Sequence, residues 1–270
     1  MDAISVAIEA AYKAGELILR NFRQPQEVYM KAPTEVVTQV DRDAEDIIVR
    51  TIRQAFPNHE FLGEEGHTAS QEADHVWVID PLDGTRNYTL GIPFFCTSIA
   101  LSVRGQPVLG VIHDPNHGET FSAQAGEGAY LNGTQVHCQP RPSLEQAIAY
   151  AGFVPAQSPD NPELALPMVI RLRPHIAAVR NLGSAALSLA YVACGRLDIA
   201  FQDWVSAWDV LAGSVLVKEA GGMVTDVCGS EISATSQSII AATNPAFHTT
   251  VLRVAQQVLS ERESQTRALG

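Results

Sequence analysis

The chain is poor in basic residues: 18 Lys and Arg stand against 30 Asp and Glu in 270 residues, a formal net charge of −12. A surface that negative repels nucleic acid and anionic lipid, so neither is expected as a partner. No apolar run approaches the ~18 residues of a helical membrane span, and Asp2, Glu9 and Glu16 make the N-terminus unlike a signal peptide. Cysteine is scarce as well. Cys96, Cys138, Cys194 and Cys228 show no CxxC spacing, which argues against a zinc knuckle or a disulfide scaffold and for reduced thiols in a cytoplasmic protein. Two phosphate-handling motifs are missing: there is no Cys-x5-Arg loop and no GxxxxGK[ST] loop.

What is present is an ordinary composition, 46% hydrophobic and 18% charged, at a length suited to one large domain or two closely joined lobes. Ala3, Val6, Ala7, Ala10, Ala14, Leu17 and Ile18 recur at helical spacing and predict an amphipathic first helix. A second helix is predicted after Asp41, with Ala44, Ile47, Ile48, Thr51, Ile52, Ala55 and Phe56 on its apolar face and Pro57 at its end. Phe61-Leu62 reads as a short strand running into Gly63-Glu64-Glu65-Gly66. Val76-Trp77-Val78-Ile79 reads as a buried strand that stops at Asp80-Pro81. Strands near 94–103, 107–113 and 119–123 are separated by turns at Gly105 and at Asn116 to Gly118, and the glycine-rich 126–133 reads as a further turn. Composition shifts at Pro140-Arg141-Pro142, which divides an N-terminal lobe, 1–139, from a C-terminal lobe, 140–270. In the second lobe, helices over Ser184–Cys194 and Ala207–Ala220 alternate with strands over Ile199–Phe201 and Ile239–Ala242. A last helix begins near Pro245 and fades into a polar tail.

The sharpest chemical feature is Asp80-Pro81-Leu82-Asp83-Gly84-Thr85. A buried strand delivers two carboxylates into a tight turn, and carboxylate oxygens suit hard cations such as magnesium. Gly84 lets the backbone approach a ligand, and the amides of Gly84 and Thr85 can point at a phosphate. Glu64, Glu65, Asp41 and Asp209 supply further carboxylates at element ends, the pattern of a two-metal phosphoryl-transfer centre. Each has a plainer reading: Asp41 and Asp209 as helix N-caps, Glu65 as a solvated loop charge. A mere turn is harder to accept for Asp80 and Asp83, since it leaves Asp80 charged and unpartnered at the end of an apolar strand. Their Asp-x-x-Asp spacing is unlike the Asp-x-Asp of aspartyl-nucleophile phosphatases. His113 and His117 flank a predicted turn and read as structural or surface residues; Trp77, Trp204 and Trp208 read as packing residues.

Trp77 to Tyr88 as a whole closely resembles the metal-binding signature of the inositol monophosphatase family. Gly63-Glu64-Glu65 resembles that family's upstream glutamate motif, and Trp208-Asp209 with Glu219-Ala220-Gly221-Gly222 resembles its C-terminal motif, in the same order from about residue 31 to about residue 222. The resemblance implies an α/β fold, an α+β sandwich layered αβαβα, often found as a homodimer. It implies two or three magnesium ions and lithium sensitivity. Glu64, Asp80 and the Leu82 carbonyl correspond to ligands of one metal; Asp80, Asp83 and Asp209 correspond to ligands of the second. Gly84 and Thr85 correspond to the phosphate-contacting pair. Asp41 corresponds to the residue that orients the threonine hydroxyl, which with Glu64 helps to activate water. Lys31 corresponds to a lysine near the metals and is expected, with Gln202, to help bind substrate; Glu65 corresponds to an acidic residue acting through water.

The implied activity is hydrolysis of a small polyol or sugar phosphate by metal-activated water, with inositol 1-phosphate the first choice. Fructose 1,6-bisphosphate and histidinol phosphate are the alternatives; Asn87-Tyr88 resembles the inositol branch more than the 3′-phosphoadenosine 5′-phosphate branch. A family member kept chiefly to bind a protein partner is a different class of function that the motifs leave open. Three positions depart from the family pattern. Gln202 stands where inositol-selective members carry a glutamate toward sugar hydroxyls. Leu211 replaces a small residue, and Arg86 occupies a variable position.

Overall fold

The structure is a computed structural model and describes residues 2–25, 27–32, 35–70, 72–153 and 164–269. Helix α1 (Ala3–Asn21) begins behind Asp2, whose carboxylate accepts the Ser5 amide at 3.0 Å. A hairpin of β1 (Val28–Ala32) and β2 (Glu35–Thr38) follows, then helix α2 (Gln39–Ala55). The hairpin has no counterpart in the sequence reading, because Val28, Tyr29 and Met30 are exposed and show no one-sided alternation. Helix α2 starts before Asp41 and not after it. Thr38 is its N-cap and Asp41 its third residue, the reciprocal partner in a capping box.

Next come β3 (Glu60–Gly63), β4 (His75–Asp83), the five-residue helix α3 (Thr85–Thr89), β5 (Cys96–Val103), β6 (Gln106–Asp114) and β7 (Glu119–Gln124). Half of the stretch read as one turn at 126–133 is strand. β8 (Gly128–Leu131) and β9 (Thr134–Val136) form a hairpin that turns at Asn132-Gly133, both with positive φ as a two-residue hairpin needs, while Gly126 and Glu127 belong to the turn before β8. At three or four residues each, these strands are too short for a periodic signal. The seven strands form one sheet in sequence order; β3 runs parallel to β4 and the other pairs are antiparallel.

The rest of the chain gives β10 (Ile148–Gly152), α4 (Ala165–Leu172), β11 (Ala178–Arg180), α5 (Ala185–Ala193), β12 (Ile199–Asp203) and α6 (Ala207–Glu219), then β13 (Met223–Thr225), β14 (Ser238–Ala242) and α7 (Pro245–Leu269). The C-terminal segment read as a polar tail is helical to Leu269. The second sheet has five strands in the order β11-β10-β12-β14-β13.

Alternation along the strands sorts the core into layers. Trp77 and Ile79 of β4, with Ile99 and Leu101 of β5, pack on α1 and α2. Val78 and Ala100 face the other way, onto Leu187, Leu189, Val210 and Leu211 of α5 and α6. Across those two helices, Ala200 of β12 and Ala241 of β14 belong to the same cluster. Ile199, Phe201, Ile240 and Ala242 face outward onto α4 and α7. The order is helices, seven-stranded sheet, helices, five-stranded sheet, helices: the αβαβα sandwich expected. Leu211 is buried in the central layer, so that departure from the family pattern is a packing change.

Candidate active site

The site lies where β4, α5 and α6 meet. Four residues on β4 (Asp80 to Asp83) span three on β5 (Ser98 to Cys96), so the strand bulges there. The bulge turns both aspartates toward the central helices. Asp80 is 1% exposed, and its Oδ1 accepts the Leu82 amide at 2.9 Å. Asp83 reaches the start of α5, where its Oδ2 accepts Ser184 Oγ at 2.6 Å and the Ala186 amide at 2.7 Å. Asp209, in the first turn of α6, accepts the Ser206 amide at 2.6 Å. One carboxylate oxygen from each of Asp80, Asp83 and Asp209 lies within 4.8 Å of the other two.

Electrostatics set this trio apart. Burial pushes the Asp80 carboxyl well above its ordinary range, and Glu64, Asp83 and Asp209 push it further. Burial also raises Asp83, opposed by Ser184 and the α5 amides. Glu64, at the end of β3, is pushed up to about 7, first by burial and also by Glu65, against the pull of Lys31. Glu64 stands outside the trio yet is the first of the charges that push the Asp80 carboxyl up. Lys31 Nζ lies 3.1 Å from Glu64 Oε1 and also bonds Glu65. Crowded, largely buried, all-oxygen donors at the cavity wall fit a hard divalent cation: its charge would relieve the repulsion, and its preferred ligands are those present.

A second group lies beside the first. Thr85 Oγ1 is 3.0 Å from Asp41 Oδ1 and 3.0 Å from the Leu82 carbonyl. Asp41 is 1% exposed, and its other oxygen accepts the Thr38 amide at 2.9 Å and the Thr38 hydroxyl at 2.6 Å. Burial raises the Asp41 carboxyl, with Thr38 and Thr85 pulling it back. Gly84 has φ 96°, and a Cβ there would sit 3.0 Å from the Phe94 carbonyl oxygen and 3.2 Å from that of Gly183, so only glycine fits. Asn87 holds the wall in place by donating to the carbonyls of Phe94 and Leu182 at 2.7 and 2.8 Å. Helix α3 is a single turn, so any anion contact at Gly84 and Thr85 comes from the turn's amides and not from a helix of useful length.

A cavity of about 490 Å³ opens over these residues, lined among others by Glu64, Asp83, Gly84, Thr85, Gln202 and Asp209. A smaller space of about 270 Å³ adjoins it, lined by Arg86, Tyr150, Gly152, Asn181 and Gln202. Tyr150 donates its hydroxyl to Gln202 Oε1 at 2.7 Å. Asp41, Asp80 and Leu82 lie behind the cavity wall, and Lys31 reaches the site through Glu64. Trp204 and Trp208 line the cavity, so they do more than pack; Trp77 alone of the three is fully buried. His113 is buried against Thr120 Oγ1 at 2.9 Å and His117 pairs with Asp114 at 2.8 Å, apart from the site.

Ser184 and Tyr150 escaped the sequence reading. Ser184, before an alanine-rich segment, carries the signal of an N-cap, which it is. Nothing local says that it also holds Asp83, 101 residues away.

Known proteins share this architecture. The family model described as the inositol monophosphatase family matches residues 2–260. Among curated relatives, the Nus factor SuhB of Pasteurella multocida is 38% identical over 261 residues, 96% of this chain and 97% of its own. Inositol monophosphatase 1 of Solanum lycopersicum is 37% identical over 249 residues, 90% of this chain and 91% of its own. The solved structure of an IMPase from Thermotoga maritima superposes with TM-score 0.87 at 35% identity, covering 97% of this chain and all of that one. The chain belongs to the inositol monophosphatase family, and with it to the phosphatases.

Proposed function

We propose that the protein is a magnesium-dependent phosphomonoesterase acting on a small polyol or sugar phosphate, with inositol 1-phosphate the first candidate. The observation that carries this is the acidic trio of buried Asp80 with half-buried Asp83 and Asp209, one carboxylate oxygen of each within 4.8 Å of the other two, beside the Gly84-Thr85 turn. Glu64, Asp80 and the Leu82 carbonyl would hold one magnesium; Asp80, Asp83 and Asp209 would hold a second, with room for a third left open. When bound, magnesium acidifies water and stabilises negative charge on oxygen. The chain's own groups do the rest. Asp41 fixes the Thr85 hydroxyl so that its lone pairs face the cavity, and Thr85 with Glu64 orients the attacking water, Glu64 accepting its proton. The Gly84 and Thr85 amides hold the phosphoryl oxygens. Lys31 keeps Glu64 and Glu65 from repelling each other, and Gln202 meets the alcohol portion. Family membership extends the proposal to a lithium-inhibited cytoplasmic homodimer whose lobes, 1–139 and 140–270, work as one unit. The test is phosphate release across inositol 1-phosphate, fructose 1,6-bisphosphate, histidinol phosphate and a generic aryl phosphate, with magnesium and with chelator. Turnover that survives excess chelator defeats the proposal.

A relative of similar length is named a Nus factor, which favours a second reading, a regulator that binds a protein partner. Pulldown with wild type and Asp83→Asn separates the two: partners retained by the inactive variant support the regulator, and partners absent from both remove it.

A further inference from the structure

Helix α2 brings a second carboxylate to the site that the proposed chemistry does not use. Glu45, one turn after Asp41 and on the same helix face, is 2% exposed. Its Oε2 accepts the Glu65 amide at 2.9 Å, and its Oε1 lies 2.7 Å from His67 Nδ1. Both partners belong to the loop that leaves β3 and carries Glu64. Backbone bonds close that loop at its base: the Gly63 amide donates to the His67 carbonyl at 2.9 Å and the Glu64 amide to that of Ile79 at 3.2 Å. Gly63 explains how Glu45 comes so near. A Cβ on Gly63 would lie 2.5 Å from the Glu45 carboxyl carbon.

We propose that Glu45 is a positioning residue that holds the 63–67 loop so that Glu64 faces Asp80. Asp41 holds Thr85 from the same face of the same helix. One rigid element therefore sets the distance between Thr85 and Glu64, a proposal that rests on reading those two residues as the pair that orients water. Without the Glu45 carboxylate the loop keeps its backbone closure but loses the support on its inner side, and Glu64 is free to move off Asp80. A merely structural Glu45 behaves differently: its loss lowers stability while the folded fraction binds metal and turns over as before.

The experiment compares Glu45→Ala, Glu45→Gln, Gly63→Ala and the double variant Glu45→Ala/Gly63→Ala with wild type and Glu64→Gln. Three quantities are read: thermal stability, magnesium binding by calorimetry, and kcat and KM on inositol 1-phosphate at a temperature where every variant used is folded. Glu45→Ala should weaken magnesium binding about 10-fold and lower kcat roughly 10- to 100-fold with KM nearly unchanged, the scale of a sub-ångström to 1 Å misplacement. Glu45→Gln, which keeps an acceptor for the Glu65 amide, should stay within about 3-fold of wild type on that same scale. Gly63→Ala pushes the carboxylate away from the other side and should reproduce Glu45→Ala even if the latter fails to fold. The double variant should be no worse than either single one, because the new methyl then has room. Wild-type magnesium binding and kcat in a folded Glu45→Ala or Gly63→Ala variant overturns the proposal, as does simple additivity in the double variant. Wild-type turnover by Glu64→Gln defeats the reading of Glu64 itself and this proposal with it. A dead Glu64→Gln beside an unimpaired Glu45→Ala defeats this proposal alone.

Discussion

Gln202 offers the most informative single substitution. Its Oε1 is occupied by the Tyr150 hydroxyl at 2.7 Å, which leaves the amide NH2 to face the cavity it lines. A flipped amide would set its NH2 against the buried phenol and take this acceptor away. The wild-type protein therefore presents a donor to the cavity, on the side where we place the alcohol portion of the substrate. Gln202→Glu keeps one oxygen on Tyr150 and turns the other to the cavity as a charged acceptor. A charged hydrogen bond contributes about 1.5–3 kcal/mol against roughly 1 for a neutral one. The difference, about 0.5–2 kcal/mol, translates to a KM for inositol 1-phosphate lower by up to about 10-fold at its centre.

The added charge enters a crowded field. Asp83 and Asp209 already help to push the Tyr150 hydroxyl up, after burial, so the comparison belongs at saturating magnesium. Neighbouring Asp203 cannot take over the contact: it points to the opposite face of β12, where it accepts the Leu164 amide. Gly152 supplies an independent probe, since a Cβ there would lie 1.9 Å from Gln202 Oε1 and Gly152→Ala must displace the amide. Steady-state kinetics on inositol 1-phosphate and on an aryl phosphate decide the matter. Both variants should alter KM for the polyol ester and spare the aryl ester. Equal slowing of the two by Gln202→Glu would refute the placement of Gln202 on the alcohol side and assign it to the metal centre.

Asp83→Asn should cost 100-fold or more in kcat, on the order of losing one key electrostatic group, while its carbonyl oxygen keeps the Ser184 and Ala186 bonds; a folded variant with most of its activity at saturating magnesium would contradict the ligand assignment. The metal-free protein should become less stable as pH rises from about 4.5 toward 7. Folded Glu64, raised to about 7, retains a proton that the unfolded chain releases near 4.5, and Asp80 and Asp83 are shifted the same way. Urea melts in chelator at pH 5 and 7.5 check this, with magnesium flattening the profile; greater stability at 7.5 without metal would be the wrong sign. Asp198→Ala should destabilise by about 3–5 kcal/mol, since this fully buried carboxylate accepts the Arg141 and Ile148 amides at 3.1 and 2.8 Å and pairs with the Arg141 guanidinium at 2.5 Å. A loss under about 1 kcal/mol in urea melts would place Asp198 among ordinary surface pairs.

The elements legible in the sequence are those whose burial is one-sided or complete over many residues. Helix α1 shows seven small or apolar residues on one face, and β4 shows an unbroken Val76–Ile79 run because both of its faces are covered. The β1–β2 and β8–β9 hairpins are silent for the opposite reason: short strands that bury only a few side chains, such as Val37 and Ala129, leave no period to read. In the site, the residues carried by a local motif are legible, because Asp80 to Thr85 fold into one turn and announce it. Ser184, Tyr150 and Glu45 are not, since each acts on a partner between 20 and 101 residues away, and only the folded sheet edges bring them together.

Asp41 and Asp209 show why the plain and the functional reading of an acidic helix start need not compete. Neither is an N-cap; each is the third residue of its helix and accepts the backbone amide of the N-cap, Thr38 or Ser206, with one oxygen. That bond uses half of the carboxylate and fixes its torsion. Asp41 then offers its other oxygen to Thr85, and Asp209 brings one carboxylate oxygen within 4.8 Å of Asp80 and Asp83. A side chain ordered this way loses little further rotamer entropy when it engages Thr85 or a cation. Replacing Thr38 or Ser206 by a residue that keeps its backbone amide would leave the carboxylate anchored. Substituting proline for Ser206 removes the amide and should loosen Asp209. Magnesium affinity should then fall while Asp83 and Asp80 stay in place, and calorimetry on Ser206→Pro against Ser206→Ala measures it. Equal affinity in the two would mean that the cap bond contributes nothing to holding Asp209.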